Sequence, residues 1–386
     1  MHSDDPNCFG DVVSFINTYS KLAVLSDASG ESSVAVWPAM QGRVMASTAA
    51  GPKAISPGWV NRELIASGKV QEHMNAVGGE DRLWLGPEGG QFSIFFAPGV
   101  PFDLEHWYTP AALDTEPFDV VDQGKAAISL RKAFCLQNYS STQFDVQIDR
   151  EVRLLTADQI WRDLGIPARS DVKVVGYESD NRLTNTGRKS WSESSGLLSL
   201  WVLGQFQALP KTTIVLPIRG GLKSELGIPA RTDYFGAVPE ERIHIAPEVV
   251  MLKADGRYRC KLGLSWNRAK GILGSYDARN RTLTLVQHDL PPEPALYVNS
   301  EWKIQEKPFG GDAANCYNDG PPAPEQAQLG QFYELESSSP ARALAPGESL
   351  AHTHRTIHLT ADEAELSAIC TSVLGVDLHE VQSFNP

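Results

Sequence analysis

The stretch FYELESSSPARALAPGESLAHTHRTIHL, residues 332–359, decides the fold. It opens with an alternating run, Phe332 to Glu336, and closes with a second one, His352 to Leu359. Alternation with a period of two marks strands, and the Ser, Pro and Gly between the runs mark turn chemistry. Pro346-Gly347-Glu348 is the turn expected to lead into the last strand.

The same grammar recurs outward along the chain. Residues 22–27, 32–39, 92–97, 126–134, 144–155, 172–179, 212–218 and 281–290 are β-branched-rich or alternating runs. That many short strands predict a sandwich or barrel. Helices are few. Residues 10–20 and 56–69 read as short ones, the latter with Pro57 near its first turn. Thr156 and Gln159 form a capping box that Gly165 terminates. Thr360, Glu363 and Gly375 repeat it, predicting a closing helix over 361–375 that docks Leu366, Ile369 and Leu374. GIPARSD (165–171) and GIPARTD (227–233) read as two alike loops, and 308–330 as one long polar loop carrying Tyr317, Asn318 and Asp319. The expectation is a single domain over 1–386, mainly β: a large antiparallel sandwich or barrel with a few short helices.

Composition narrows the partners. With 34 Lys and Arg against 47 Asp and Glu, the 386-residue chain carries a formal charge of −13. That argues against nucleic acid and anionic membrane surfaces. No apolar run reaches the ~20 residues of a membrane helix. The start MHSDDPNCFGD has neither a basic nor an apolar segment, so no signal peptide is expected there; a cytoplasmic location, or a secreted one with the signal removed, stays open. Five scattered cysteines without C-x-x-C make a disulfide framework or zinc ribbon unexpected. P-loop, Rossmann, nucleophile-elbow and zincin motifs are absent.

The stretch 332–359 resembles the C-terminal signature of the aldose 1-epimerases, or galactose mutarotases: a strand ending in Glu, a polar segment, a P-G-E turn and a final strand. ESDNRLTNTGRKSW (178–191) and NAVGGEDRLWLGPEGG (75–90) resemble further segments of that family in the same order. The text as a whole looks like a bacterial family related to the mutarotases. The resemblance implies a galactose mutarotase-like supersandwich, a sugar in its concave groove, and Glu336 as general base. It also implies a catalytic His within 197–206, where LLSLWVLGQF has Trp201 instead.

The candidate site residues follow. Glu334 and Glu336 share a strand face, so they could act as an acid and base whose pKa values are pushed apart. His352, His354 and His358 share a face with Thr356, so His352 and His354 could chelate a metal, or His354 could carry protons. A polar sandwich face or core histidines would give the same pattern. Around Gly78-Gly79 lie His73, Glu80, Asp81, Arg82 and Trp84; an Arg fork beside an indole makes a sugar floor, and the bland reading is a braced turn over a core Trp. His106-Trp107-Tyr108 reads as a binding rim, with Asn318, Lys261, Tyr276 and Asp277 as further groove candidates.

Three functions fit these residues. The first is a carbohydrate-active enzyme moving a proton at a sugar carbon (epimerase, isomerase or lyase type), with Glu336 as base, a His (His354, His73 or His106) as acid, and Arg82, Trp84, Glu80 and Glu334 as sugar ligands. The second is a non-catalytic carbohydrate-binding module. The third is a metal-dependent lyase or hydrolase built on the His-x-His pair. The expected partner is a mono- or oligosaccharide, uronic acids included, and no cofactor is expected unless that pair binds a divalent metal.

Overall fold

Alternating sequence becomes alternating burial, and that sorts the strands into layers. In the computed structural model the described residues are 5–323 and 325–385. The ends of the expected 1–386 span and Pro324 of the long loop lie outside them. A five-stranded antiparallel sheet contains β4 (Arg82–Gly86), β9 (Ser199–Gln207), β13 (Cys260–Leu264), β16 (Ala314–Asn318) and β17 (Phe332–Ser338), in the order β13-β16-β17-β9-β4. A ten-stranded antiparallel sheet contains β5 (Asp119–Gln123), β6 (Ala127–Gln137), β7 (Gln143–Leu154), β8 (Lys173–Asn185), β10 (Thr212–Pro217), β11 (Ile243–Ile245), β12 (Val249–Lys253), β14 (Ile272–Asp277), β15 (Thr282–His288) and β18 (Ser349–Thr360). Its order is β11-β12-β10-β14-β15-β18-β8-β7-β6-β5. A smaller sheet joins β1 (Ala23–Ser26), β2 (Ser33–Trp37) and β3 (Arg43–Thr48).

The inner faces of the two larger sheets make the core. Leu83, Leu85, Leu200 and Val202 of the five-stranded sheet meet Ile128, Leu130, Val146 and Ile148 of the ten-stranded one. Farther along, Leu262, Cys316 and Leu335 meet Ile214, Leu252 and Val286. The other face of the ten-stranded sheet is also covered. Leu283, Leu285, Ile357 and Leu359 pack beneath α4 (Ala157–Leu164), α6 (Glu363–Leu374) and α7 (Leu378–Phe384). Of the remaining helices, α1 (Phe9–Asn17) precedes β1, while α2 (Arg62–Ser67), α3 (Ala111–Asp114) and α5 (Lys223–Leu226) lie between strands along the chain. The face of the five-stranded sheet opposite this core carries residues of a groove.

Local chemistry explains most boundaries. α4 carries the expected capping box, Thr156 with Gln159, and ends on Gly165 at φ 69. α6 ends on Gly375 at φ 78, but its N-cap is Asp362, whose side chain accepts from the Glu365 N–H, and not Thr360. α2 is shorter than expected because Asn61, not Pro57, caps it. Both GIPAR segments are loops leaving a short helix, their glycines at φ 69 and φ 80. Residues 92–97 form no strand: Phe95 and Phe96 are buried as core plugs in irregular backbone. The long loop 308–330 contains β16, which pairs with β13 and β17 inside the sheet.

A buried polar seam runs through this apolar sandwich. Arg150 on β7 donates to Asp81 Oδ1 at 2.6 Å, to Asn181 Oδ1 at 2.6 Å and to the Gly42 carbonyl at 3.2 Å, while Ser179 donates to Asp81 Oδ2 at 2.7 Å. Both charged side chains are 0% exposed. Together they join the ten-stranded sheet, the turn before β3 and the segment entering β4. Removing one partner strands a charge in the interior, so Arg150→Met is expected to cost about 3–5 kcal/mol in chemical denaturation. Arg150→Met combined with Asp81→Leu is expected to cost less than the two single changes added together. A single-variant loss under about 1 kcal/mol, the size of an exposed pair, would refute the lock.

Candidate functional site

Strand register fixes the site. On the five-stranded sheet, Lys261, Tyr317, Glu334 and Gln205 stand opposite one another in one row across β13, β16, β17 and β9. Two residues along each strand, Asn315, Glu336, Leu203 and Arg82 form the next row. Trp84 faces Trp201 in the row beyond. Because side chains alternate, all of these leave the sheet on the face opposite the core. All but Asn315 and Glu336 floor a cavity of about 700 Å³ whose walls come from His73, Met74, Leu104, Trp107, Phe235, Trp302, Leu329 and Phe332.

Glu334 is the central acid. Its Oε1 accepts from Arg82 Nη2 at 3.0 Å and from Gln205 Nε2 at 2.9 Å, and the residue is 6% exposed. Burial raises its pKa, Arg82 opposes the rise and Glu336 adds to it, leaving the carboxyl at about 7. Arg82 is itself held flat over the Trp84 ring at 4.0 Å. Both halves of this pair are thus fixed before any ligand arrives.

Glu336, the expected general base, is enclosed beneath the groove. It is 0% exposed, and its Oε2 accepts from Lys261 Nζ and from Trp201 Nε1, both at 2.9 Å. Lys261 and Trp201 line the cavity and cover it. Burial would lower the Lys261 pKa, yet Glu336 and Glu88 outweigh burial and raise it, so the ammonium stays charged. Glu336 positions a cation and an indole; Glu334, two residues earlier, is the carboxyl in the groove.

The aromatic wall is continuous. Trp84 meets Trp201 edge-on at 5.5 Å, Phe95 lies 5.2 Å from Trp84, and Trp107 stacks on Phe95 at 5.8 Å and on Trp302 at 6.0 Å. His73 lines the same cavity. Its Nδ1 lies 2.7 Å from the Trp107 carbonyl, which can only accept, so Nδ1 carries a proton, and Nε2 has no hydrogen-bond partner among the described residues. The segment read as a rim therefore supplies Trp107 to the groove, while His106 stands outside, bonded to Asp103 at 2.6 Å.

Several expected ligands sit elsewhere. Glu80 is 0% exposed between the sheets, accepting from Ser47, Ser56 and Gly58 and facing His358 Nε2 at 3.3 Å. Asn318 points into the core side and ties Gly256 and Tyr258; its neighbour Tyr317 reaches the groove. Tyr276 packs under the helices, and Asp277 closes a turn onto Asn280.

His352 and His354 do share a face, but that face lies in the seam. Both bond the Ser337 hydroxyl, at 2.7 and 2.8 Å. Burial lowers both pKa values, His354 to about 4, so each imidazole is neutral at physiological pH. His354 thus has no contact with the groove as a proton carrier. Among the described residues no three His, Cys, Asp or Glu side chains gather to hold a metal ion.

Gln205, Arg259 and Trp302 were missed in the sequence. A signal existed for two of them: Gln205 follows Trp201 and Leu203 at a spacing of two, and Arg259 precedes Lys261 by two.

The raised Glu334 pKa has a defined consequence for stability. Between its ordinary value of 4.5 and about 7 the folded chain holds a proton that the unfolded chain has lost. Glu334's contribution therefore falls as pH rises through that window. Glu334→Gln is expected to flatten that part of the stability profile. Carboxyl ¹³C titration should give a midpoint near 7 in the wild type and a higher one in Arg82→Met. A midpoint near 4.5 would refute the electrostatic reading.

Comparison with solved structures locates this architecture. The chain matches an Escherichia coli K12 protein named as a candidate aldose 1-epimerase with TM-score 0.52 and 14% identity, over 88% of this chain and 98% of that one. The Slr1438 protein of Synechocystis sp. PCC 6803 matches with TM-score 0.52 and 12% identity, over 89% and 96%. A galactose mutarotase-like protein of Lactobacillus casei ATCC 334 matches with TM-score 0.49 and 10% identity, over 88% and 99%. At these identities the likeness to the first two establishes the fold alone, a galactose mutarotase-like antiparallel β-sandwich. No curated protein matches the sequence. No helix among the described residues is long and apolar enough to cross a membrane. A family profile covers residues 7–385, and the chain belongs to that family, the family of unknown function DUF6786.

Proposed function

We propose that the groove over the five-stranded sheet binds a carbohydrate and that Glu334 moves a proton at the bound sugar, in an epimerase or isomerase type of reaction. The observation that carries this reading is the Glu334 carboxyl itself. It lies in a groove of about 700 Å³ with its pKa at about 7, where it is present in both protonation states at neutral pH. Indole faces suit the apolar C–H face of a sugar ring, and the Trp84, Trp107, Trp201 and Trp302 wall offers several.

The second proton carrier is His73, whose Nε2 has no hydrogen-bond partner among the described residues. Arg82 and Lys261, each held by a carboxylate, supply positive charge to a sugar oxygen that gains negative charge as its proton leaves. Glu336 holds Lys261 and Trp201 in place and exchanges no proton with the sugar. The fold shared with a protein named as a candidate aldose 1-epimerase agrees with this assignment.

The test pairs binding with turnover. Titration calorimetry against a panel of mono- and oligosaccharides identifies a ligand. Polarimetry and NMR deuterium wash-in at the sugar carbons then follow proton transfer. Glu334→Gln is expected to keep sugar affinity within a few-fold and to lose turnover by ~10²–10⁴-fold. Binding without turnover in the wild type would make the groove a non-catalytic carbohydrate site and sink the Glu334 role. Absence of binding across the panel would sink the carbohydrate reading altogether.

A further inference from the structure

The groove holds three cations, and they are not equivalent. Arg82 is paired with Glu334 at 3.0 Å and Lys261 with Glu336 at 2.9 Å. Arg259 lines the same groove, yet among the described residues no carboxylate comes within 4.0 Å of its guanidinium. Glu88 and Asp319 lie near enough to feel its charge without pairing with it.

Arg259 is nonetheless held in place. Its guanidinium lies over the Phe235 ring at 3.9 Å, and its Nε donates to the Tyr317 hydroxyl at 3.3 Å. That hydroxyl in turn donates to Asp319 at 2.7 Å, and Phe235 meets Tyr317 edge-on at 6.0 Å. Using Nε and one ring face for anchorage leaves both terminal nitrogens without a hydrogen-bond partner among the described residues. A planar fork fixed in this way matches the two oxygens of a carboxylate, and a guanidinium is the side chain that makes such bidentate contacts.

Resting on the carbohydrate reading above, we infer that Arg259 is a specificity residue that docks the carboxylate of an acidic sugar, so that the ligand is a uronate within an oligosaccharide. The size of the groove fits this: about 700 Å³ takes a ligand of several rings rather than a single hexose. Leu104, Phe235 and Leu329 continue an exposed apolar rim at its edge, each more than two-fifths exposed, where neighbouring rings can rest.

The experiment uses the full chain and oligosaccharides matched in linkage that differ in one group: α-1,4-galacturonate against α-1,4-galactan, β-1,4-mannuronate against β-1,4-mannan, and β-1,4-glucuronate against β-1,4-glucan. Calorimetry is expected to show the acidic member of at least one pair binding about tenfold to a hundredfold more tightly than its neutral partner. Arg259→Met should erase that preference while keeping the neutral affinity, and Arg259→Lys should restore part of it. Unchanged melting temperatures separate this loss from misfolding. A neutral member bound as tightly as its acidic partner overturns the Arg259 role and leaves the carbohydrate groove standing. An acidic preference that Arg259→Met leaves intact also overturns it. Chondroitin disaccharides with and without sulfate separate the two anions, and a requirement for sulfate overturns the carboxylate. Failure of every pair to bind overturns this inference and the carbohydrate reading together.

Discussion

Arg150 and Asp81 meet at 2.6 Å with both side chains sealed from solvent, and the groove is built outward from that contact. An isolated charge in the interior is far too costly to keep, so each member fixes the other. Asp81 is the residue before β4. With Asp81 pinned inward by Arg150 and Ser179, strand alternation sends Arg82 outward, and Trp84 with it. The ion pair in the core thus sets which side chains reach the opposite face of the five-stranded sheet. His352, His354, His358 and Glu80 belong to the same seam, where they bond Ser337, Thr284 and backbone donors.

On the groove side the same low-dielectric logic produces function-like electrostatics. Two carboxyls two residues apart on β17 cannot both sit unpaired beside each other. Register gives each a cation from a different strand, Arg82 for Glu334 and Lys261 for Glu336. The pairs are unequal because the surroundings are. Glu336 is closed under Trp201 and Lys261, whereas Glu334 opens on the cavity and is driven up to about 7. Arg259, without such a partner, is the groove's one cation held in place by an aromatic ring and a hydroxyl among the described residues.

Much of the frame could be read from local sequence. The runs at 126–134, 144–155, 212–218, 281–290 and 352–359 all became strands of the ten-stranded sheet, because their alternation or β-branched content is a direct imprint of burial on a sheet. The α4 capping box and the glycines closing α4 and α6 are likewise local chemistry. Short buried strands were harder. β16 lies inside a segment rich in Gly and Pro, and its pairing with β13 and β17 joins residues far apart in sequence. Phe95 and Phe96 failed the other way: their apolarity reflects plugging a sandwich end, which a strand and a buried loop satisfy equally.

The sequence by itself determined the fold class, the sharing of one face by Glu334 and Glu336, by His352, His354 and His358, and by Arg82 and Trp84. Those facts follow from a period of two within one strand. Tertiary structure decided which of those faces meets the groove and which meets the core. It made Glu334 the carboxyl that lines the groove and Glu336 its enclosed neighbour, turned the histidines into the seam, and brought Lys261, Gln205 and Arg259 to the site. The reason is that a strand's pattern records only that its two faces differ. Whether a polar face turns toward a ligand or toward a buried partner depends on what the other sheet places opposite it.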